Sequence, residues 1–65
     1  MRIVLNGKAH ETGAVTLAAL LEEMGVGESR VATAVNGRFA PRPLRAEMAL
    51  SEGDAVEVVS PMEGG

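Results

Sequence analysis

Two Asn-Gly pairs, Asn6-Gly7 and Asn36-Gly37, constrain the fold of this 65-residue chain more than any other feature of its sequence. Each pair follows a short run of β-prone residues, and Asn-Gly is the strongest short signal for a hairpin because both residues tolerate positive φ. The sequence therefore predicts one hairpin at the N-terminus and a second past the middle of the chain. The four predicted strands are Ile3–Leu5, Lys8–Thr12, Val31–Val35 and Arg38–Ala40.

One helix is predicted between the two hairpins, over Leu17–Met24. Thr16 is a suitable N-cap because its hydroxyl can accept from a free N–H of the first turn. Gly25 follows directly and suits the left-handed residue that ends many helices. Four apolar residues at helical spacing predict a single buried face that forms core. These are Leu17, Leu20, Leu21 and Met24.

The last strand is predicted over Ala55–Ser60, and its near-continuous apolar content favours an interior position in the sheet. Residues 44–50 are predicted to connect the second hairpin to this strand, with one helical turn. The order β-β-α-β-β-β predicts an α+β domain in which one main helix packs across a mixed sheet of four to five strands. We expect residues 1–60 to form this domain and residues 61–65, which begin with Pro61, to form a flexible tail.

Length and composition argue against a self-sufficient enzyme and favour a carrier, adaptor or modifier. A chain of 65 residues makes one small domain with little material left for the walls of a catalytic pocket. The sequence has no Cys, which excludes disulfides and Cys-based zinc sites. We predict no catalytic residue and no metal site. The lone His10 is interpreted as a strand residue, and Asp54 as a carboxylate that stabilises its turn.

The charge distribution argues against nucleic acid as a partner. The net charge is −3, and the part of the chain after Arg45 carries five acidic and no basic residues. Phosphate contacts need clustered Lys and Arg. The acidic region suits either a partner with a basic docking face or a simply solvated surface. No apolar run reaches the length of a membrane span, and no signal peptide is recognisable, so we expect a cytoplasmic protein without membrane contact.

The sequence ends in Gly64-Gly65, which leaves two interpretations open. The pair can be a frayed end or a cloning remnant. Alternatively, the reactive group of this protein is its own terminal carboxyl. An enzyme that activates a carboxylate with a nucleotide must thread the tail through a narrow channel, and glycine lets the backbone approach the channel walls closely.

Taken together, the motifs resemble the ThiS family of sulfur-carrier proteins, which have the ubiquitin-like β-grasp fold. The resemblance covers nearly the whole chain. Its segments are Asn6-Gly7, the helix start Thr16-Leu17, the stretch 31–37, Pro41-Arg42, the stretch 50–59 and the final Gly64-Gly65. The chain has Ala40 and Arg45 where family members often carry a bulkier aliphatic residue and a Trp.

The resemblance implies that the Gly65 carboxylate is adenylated by a ThiF-like enzyme that uses ATP, with Gly64 as slim backbone beside it. A sulfur donor enzyme then provides the sulfur for a C-terminal thiocarboxylate. A ThiG-like thiazole synthase takes that sulfur into the thiazole of thiamine. The carrier itself holds no cofactor.

Partner contacts are expected at the last strand, the tail and the neighbouring sheet face. The predicted contact residues are Val58, Met62 and Glu63, with the Arg38–Arg45 region as a further candidate. Related carriers serve molybdopterin assembly, tRNA thiolation or secondary metabolites, so the pathway stays open. A ubiquitin-like protein modifier and a domain of a larger enzyme are the remaining alternatives.

Overall fold

The computed structural model describes residues 1–27 and 30–60 of the chain. It contains five strands, one α-helix and one 3₁₀ helix within that part. The strands are β1 (Arg2–Leu5), β2 (Lys8–Glu11), β3 (Ala32–Val35), β4 (Arg38–Phe39) and β5 (Ala55–Val59). The helix α1 spans Leu17–Glu23, and the 3₁₀ helix spans Arg42–Glu47.

The strands form one mixed sheet in the order β2-β1-β5-β3-β4. The two hairpins pair antiparallel across turns in which Asn6 and Asn36 have φ of 50° and 53°. β5 lies between them, parallel to β1 and antiparallel to β3. The predicted mixed sheet with the last strand in its interior is therefore confirmed.

The elements differ from the predicted ones mainly at their ends. α1 stops at Glu23, Met24 is its C-cap, and Gly25 takes the left-handed conformation with φ of 81°. Strands β2 to β5 are each one residue shorter than predicted, and β1 begins one residue earlier than predicted, at Arg2. The segment 44–50 was predicted to hold one helical turn, but a 3₁₀ helix of six residues, which is two turns, occupies Arg42–Glu47. Its first turn contains Pro43, whose fixed φ suits a helix start.

The core lies between α1 and one face of the sheet. Ile3 of β1 and Val56 of β5 contribute from the sheet, and both are almost fully buried. The predicted leucine stripe is confirmed as core, because all three leucines of α1 are buried and Met24 packs against them in part. The other buried apolar residues are Ala14, Ala40 and Leu50. α1 covers one face of the sheet, and no described element covers the opposite face.

Candidate functional site

The uncovered side of the sheet, here called the open face, is mostly apolar. Successive strand residues point to opposite sides of a sheet. Ile3 and Val56 face α1, so the residues next to them along each strand face the other way. Residues paired across strands share a face, so the partners of those neighbours face the open side as well. The apolar members of the open face are Val4, Ala9, Ala32, Ala34, Phe39, Ala55 and Val59.

A shallow groove of about 290 Å³ lies at one end of the open face. Its large apolar residues are Phe39 and Val59, which are 71% and 55% exposed. The small side chains of Ala32 and Ala34 form the floor between them. Exposed apolar patches of this kind mark interaction surfaces, because binding a partner removes their apolar surface from water.

Glu57 places a negative charge at the groove. It lies on β5 opposite Ala34, and its side chain forms no hydrogen bond or ion pair with the residues that the structure describes. The open face therefore combines an apolar patch with one available carboxylate. That combination suits a partner surface that carries a basic residue among apolar ones.

Val58, a predicted contact residue, faces α1 and is half buried against the core. Its backbone is bound by the side chain of Asn6, which accepts from the N–H of Val58 at 2.9 Å and donates to its carbonyl at 3.2 Å. Of the β5 residues on the open face, Glu57 and Val59 line the groove. Alternation along β5 would have identified them, once Val56 was assigned to the core.

The other predicted site residues, Met62, Glu63, Gly64 and Gly65, lie outside the described residues. The chain enters this segment directly from β5 through Ser60. The segment that ends in Gly-Gly thus follows β5 directly along the chain, and Glu57 and Val59 of β5 line the groove. The groove adjoins the last strand and the Arg38–Arg45 region, both of which were predicted as contacts, and Phe39 lies within that region although it was not named individually.

The three arginines of the Arg38–Arg45 region do not form one basic surface. Arg38 on β4 and Arg42 on the 3₁₀ helix are exposed, whereas Arg45 is buried. The Nε atom of Arg45 donates to the hydroxyl of Thr33 at 3.0 Å, and Nη2 donates to the carbonyl of Val31 at 2.7 Å. Burial, and secondarily the charge of Arg42, lowers the pKa of Arg45. Arg45 therefore has a structural role.

His10 and Asp54 behave as interpreted from the sequence. His10 is a partly buried residue of the edge strand β2, and its Nε2 has no hydrogen-bond partner among the described residues. Asp54 accepts from the backbone N–H of Ser51 at 2.9 Å and so stabilises its turn. Within residues 1–27 and 30–60, no group of three His, Cys, Asp or Glu side chains is placed to hold a metal ion. No helix in the same part of the chain is long and apolar enough to cross a membrane.

The sequence matches one known protein family over nearly its whole length. The model of the ThiS family matches residues 3–65. The chain belongs to the ThiS family. The match extends through Gly65, so both glycines lie within the family's sequence pattern.

Solved structures agree with this assignment. The chain is similar to the crystal structure of a thiamine biosynthesis protein (ThiS) from Geobacter metallireducens, with 30% identity, a TM-score of 0.85 and full coverage of both chains. It is also similar to a solution structure of a thiamine biosynthesis protein from Geobacter metallireducens, with 28% identity and a TM-score of 0.81. That match covers this whole chain and 88% of the solution structure. The predicted ubiquitin-like β-grasp fold is thereby confirmed.

A thiazole synthase from Paramagnetospirillum magneticum is a curated relative of this ThiS-family chain. It is 36% identical over 66 residues, and the match covers the whole of this chain. The chain spans only 20% of the length of that relative. A ThiS-like segment therefore forms part of a larger protein in that organism.

Proposed function

We propose that this ThiS-family protein is a sulfur carrier whose reactive group is the C-terminal carboxylate of Gly65. The observation that carries the proposal is the family match through Gly65, at the end of a segment that leaves the central strand beside an exposed apolar groove. The protein acts as a co-substrate of other enzymes in this proposal. A bound cofactor is not required, since the carrier contributes neither an acid nor a base.

Activation proceeds by attack of a Gly65 carboxylate oxygen on the α-phosphorus of ATP, on the active site of a ThiF-like enzyme. The products are the acyl adenylate and pyrophosphate. Hydrosulfide released by a sulfur donor enzyme then attacks the acyl carbon and displaces AMP, which gives the thiocarboxylate and one proton. Gly64 supports this chemistry because a residue without Cβ fits a narrow channel. Since activation consumes ATP, we expect the reaction to take place in the cytoplasm.

The activating enzyme docks on the open face in this proposal. Phe39 and Val59 supply apolar contact area, and Glu57 receives a basic residue of the enzyme. Docking there places the enzyme next to Ser60, where the chain continues toward the glycines. Val58 supports the surface from behind, and Met62 and Glu63 remain predicted contacts of the tail.

The sulfur acceptor is proposed to be a ThiG-like thiazole synthase, so that the sulfur enters the thiazole of thiamine. Two findings support this choice over molybdopterin assembly or tRNA thiolation. The structural neighbours are thiamine biosynthesis proteins, and the curated relative is a thiazole synthase that contains a segment like this chain. The same relative favours a second arrangement, in which the carrier is one domain of a longer synthase.

Intact-mass spectrometry tests the proposal directly. The purified chain is incubated with ATP, its cognate activating enzyme and a sulfur donor. We expect a mass gain equal to the replacement of one oxygen by sulfur. A variant with one residue added after Gly65 is the matched control, and it should fold normally but stay unmodified. Failure of the native chain to gain mass, with an enzyme that modifies another carrier, contradicts the proposal.

Peptide mapping of the protein from its own cells separates the two arrangements. A C-terminal peptide that ends at Gly65 supports the free carrier. A peptide that runs past Gly65 supports a carrier domain within a longer synthase. Detection of Gly65 linked to lysine amines would instead support a ubiquitin-like modifier.

A further inference from the structure

The side chain of Asn6 extends the pairing of the central strand beyond the point where its neighbour turns away. The N–H of Asn6 donates to the carbonyl of Val56 at 2.9 Å, as expected for a parallel ladder between β1 and β5. The next bond of that ladder would join the N–H of Val58 to the backbone carbonyl of residue 6. Asn6 has φ of 50°, so the backbone already turns into the hairpin there.

The amide of Asn6 replaces the missing peptide group. Its Oδ1 accepts from the N–H of Val58 at 2.9 Å, and its Nδ2 donates to the carbonyl of Val58 at 3.2 Å. A side-chain amide has the same donor and acceptor chemistry as the backbone. Hydrogen bonding on the β1 side of β5 therefore extends to Val58, two residues beyond Val56, where the backbone pairing ends.

Asn36 makes related contacts at the opposite end of β5, but its side chain binds only one backbone group of that strand. Its φ is 53°, and its Oδ1 accepts from the N–H of Ala55 at 2.9 Å. Its Nδ2 donates to Oδ1 of Asp54 at 3.1 Å. The two asparagines thus share residue type, turn type and conformation, but only Asn6 acts at the end of β5 from which the chain continues toward residues 61–65.

We propose that Asn6 is a positioning residue for activation of the carrier. By binding both backbone groups of Val58, it holds the β1 side of β5 one residue before the last pair with β3, Val59 and Ala32. Gly65 lies seven residues after Val58, so fraying of β5 at Val58 lengthens the chain between the docked sheet and the reacting carboxylate. A longer connection lowers the effective concentration of the carboxylate at the active site. This inference rests on the proposed function of Gly65.

The test compares Asn6→Gly with the matched variant Asn36→Gly. Glycine tolerates positive φ, so each substitution removes the side-chain amide without straining its turn. Steady-state thiocarboxylate formation with the cognate activating enzyme is followed by intact mass. We expect Asn6→Gly to lower kcat about tenfold with KM nearly unchanged, because two net hydrogen bonds hold the exit of the chain and docking on the open face is preserved.

Asn36→Gly should leave kcat close to that of the native protein. Asn6→Asp retains an acceptor for the N–H of Val58 but loses the donor to its carbonyl. Its kcat should therefore fall between those of Asn6→Gly and the native protein. Equal losses for Asn6→Gly and Asn36→Gly would overturn the proposal, since they would indicate a common loss of stability.

Amide hydrogen exchange provides a readout that does not depend on activity. The Val58 amide should exchange faster in Asn6→Gly and at its native rate in Asn36→Gly. Unchanged Val58 protection in Asn6→Gly would overturn the positioning role even if sulfur transfer is established. Absence of any modification of the native protein would instead refute the proposed function, and exchange at Val58 would still test the contact itself.

Discussion

Arg45 is the one charged side chain that is buried in the part of the chain the structure describes, with 7% of its surface exposed. It remains protonated at neutral pH although burial lowers its pKa, because the guanidinium pKa starts far above 7. No described carboxylate lies within ion-pair distance of it. Its charge is instead satisfied by the Thr33 hydroxyl and the Val31 carbonyl, so it joins the 3₁₀ helix to β3 and the residue before it.

Replacing Arg45 by Met should lower the free energy of unfolding by about 1–2 kcal/mol, since the carbonyl of Val31 loses a charged donor while the apolar stem is kept. Urea denaturation measures the change. Arg42→Met is the control, and as an exposed substitution it should stay within about 0.5 kcal/mol of the native protein. A more stable Arg45→Met variant would mean that the desolvation of the guanidinium exceeds the strength of its hydrogen bonds.

At the scale of single elements, α1 depends on its cap and on its contacts with the sheet. It has only seven residues, and an isolated helix of this length is not stable in water. The hydroxyl of Thr16 accepts from the N–H of Ala19 at 3.1 Å at its start. Near its other end, Glu23 accepts from the hydroxyl of Thr12, which follows β2. Both ends are thus tied by threonine hydroxyls.

Thr16→Ala should lower the free energy of unfolding by about 1 kcal/mol, because it leaves a first-turn N–H without its acceptor. Thr16→Ser retains the hydroxyl and should lie within a few tenths of a kcal/mol of the native value. Thermal unfolding followed by circular dichroism compares the two. Equal losses in both variants would assign the effect to the methyl group of Thr16 and not to the cap.

Elements that depend on local chemistry were predictable from the sequence. Both Asn-Gly turns, the Thr16 cap and Gly25 each act within a few residues, so the pattern along the chain contains the information. The 3₁₀ helix was underestimated because it is stabilised by packing against α1 and by contacts of Arg45 with residues far away in sequence. Among the residues of the groove, Phe39 lies within the predicted Arg38–Arg45 region but was not singled out, since a two-residue strand shows no alternation from which its face can be inferred.

At the scale of the whole molecule, the two faces of the sheet have different uses: one holds the core, and the other is proposed to bind a partner. Val59→Lys should weaken binding of the activating enzyme about tenfold or more, because it places a charge in the centre of an apolar contact. Val15→Lys is the control, since Val15 is a comparably exposed valine, 65% exposed, outside the open face. Titration calorimetry measures both. Equal affinities for the two variants would exclude the groove as the docking surface.

The central position of β5 also affects how the protein is made. β5 is the last of the described strands in chain order, yet it lies between β1 and β3, so the facing edges of β1 and β3 stay unpaired until β5 has left the ribosome. Such edges invite pairing with other chains. Pairing between strands so distant in sequence is also slow to form. A nascent chain that stops before β5 also lacks Glu57 and Val59, so the proposed docking face is complete only after β5 has been translated.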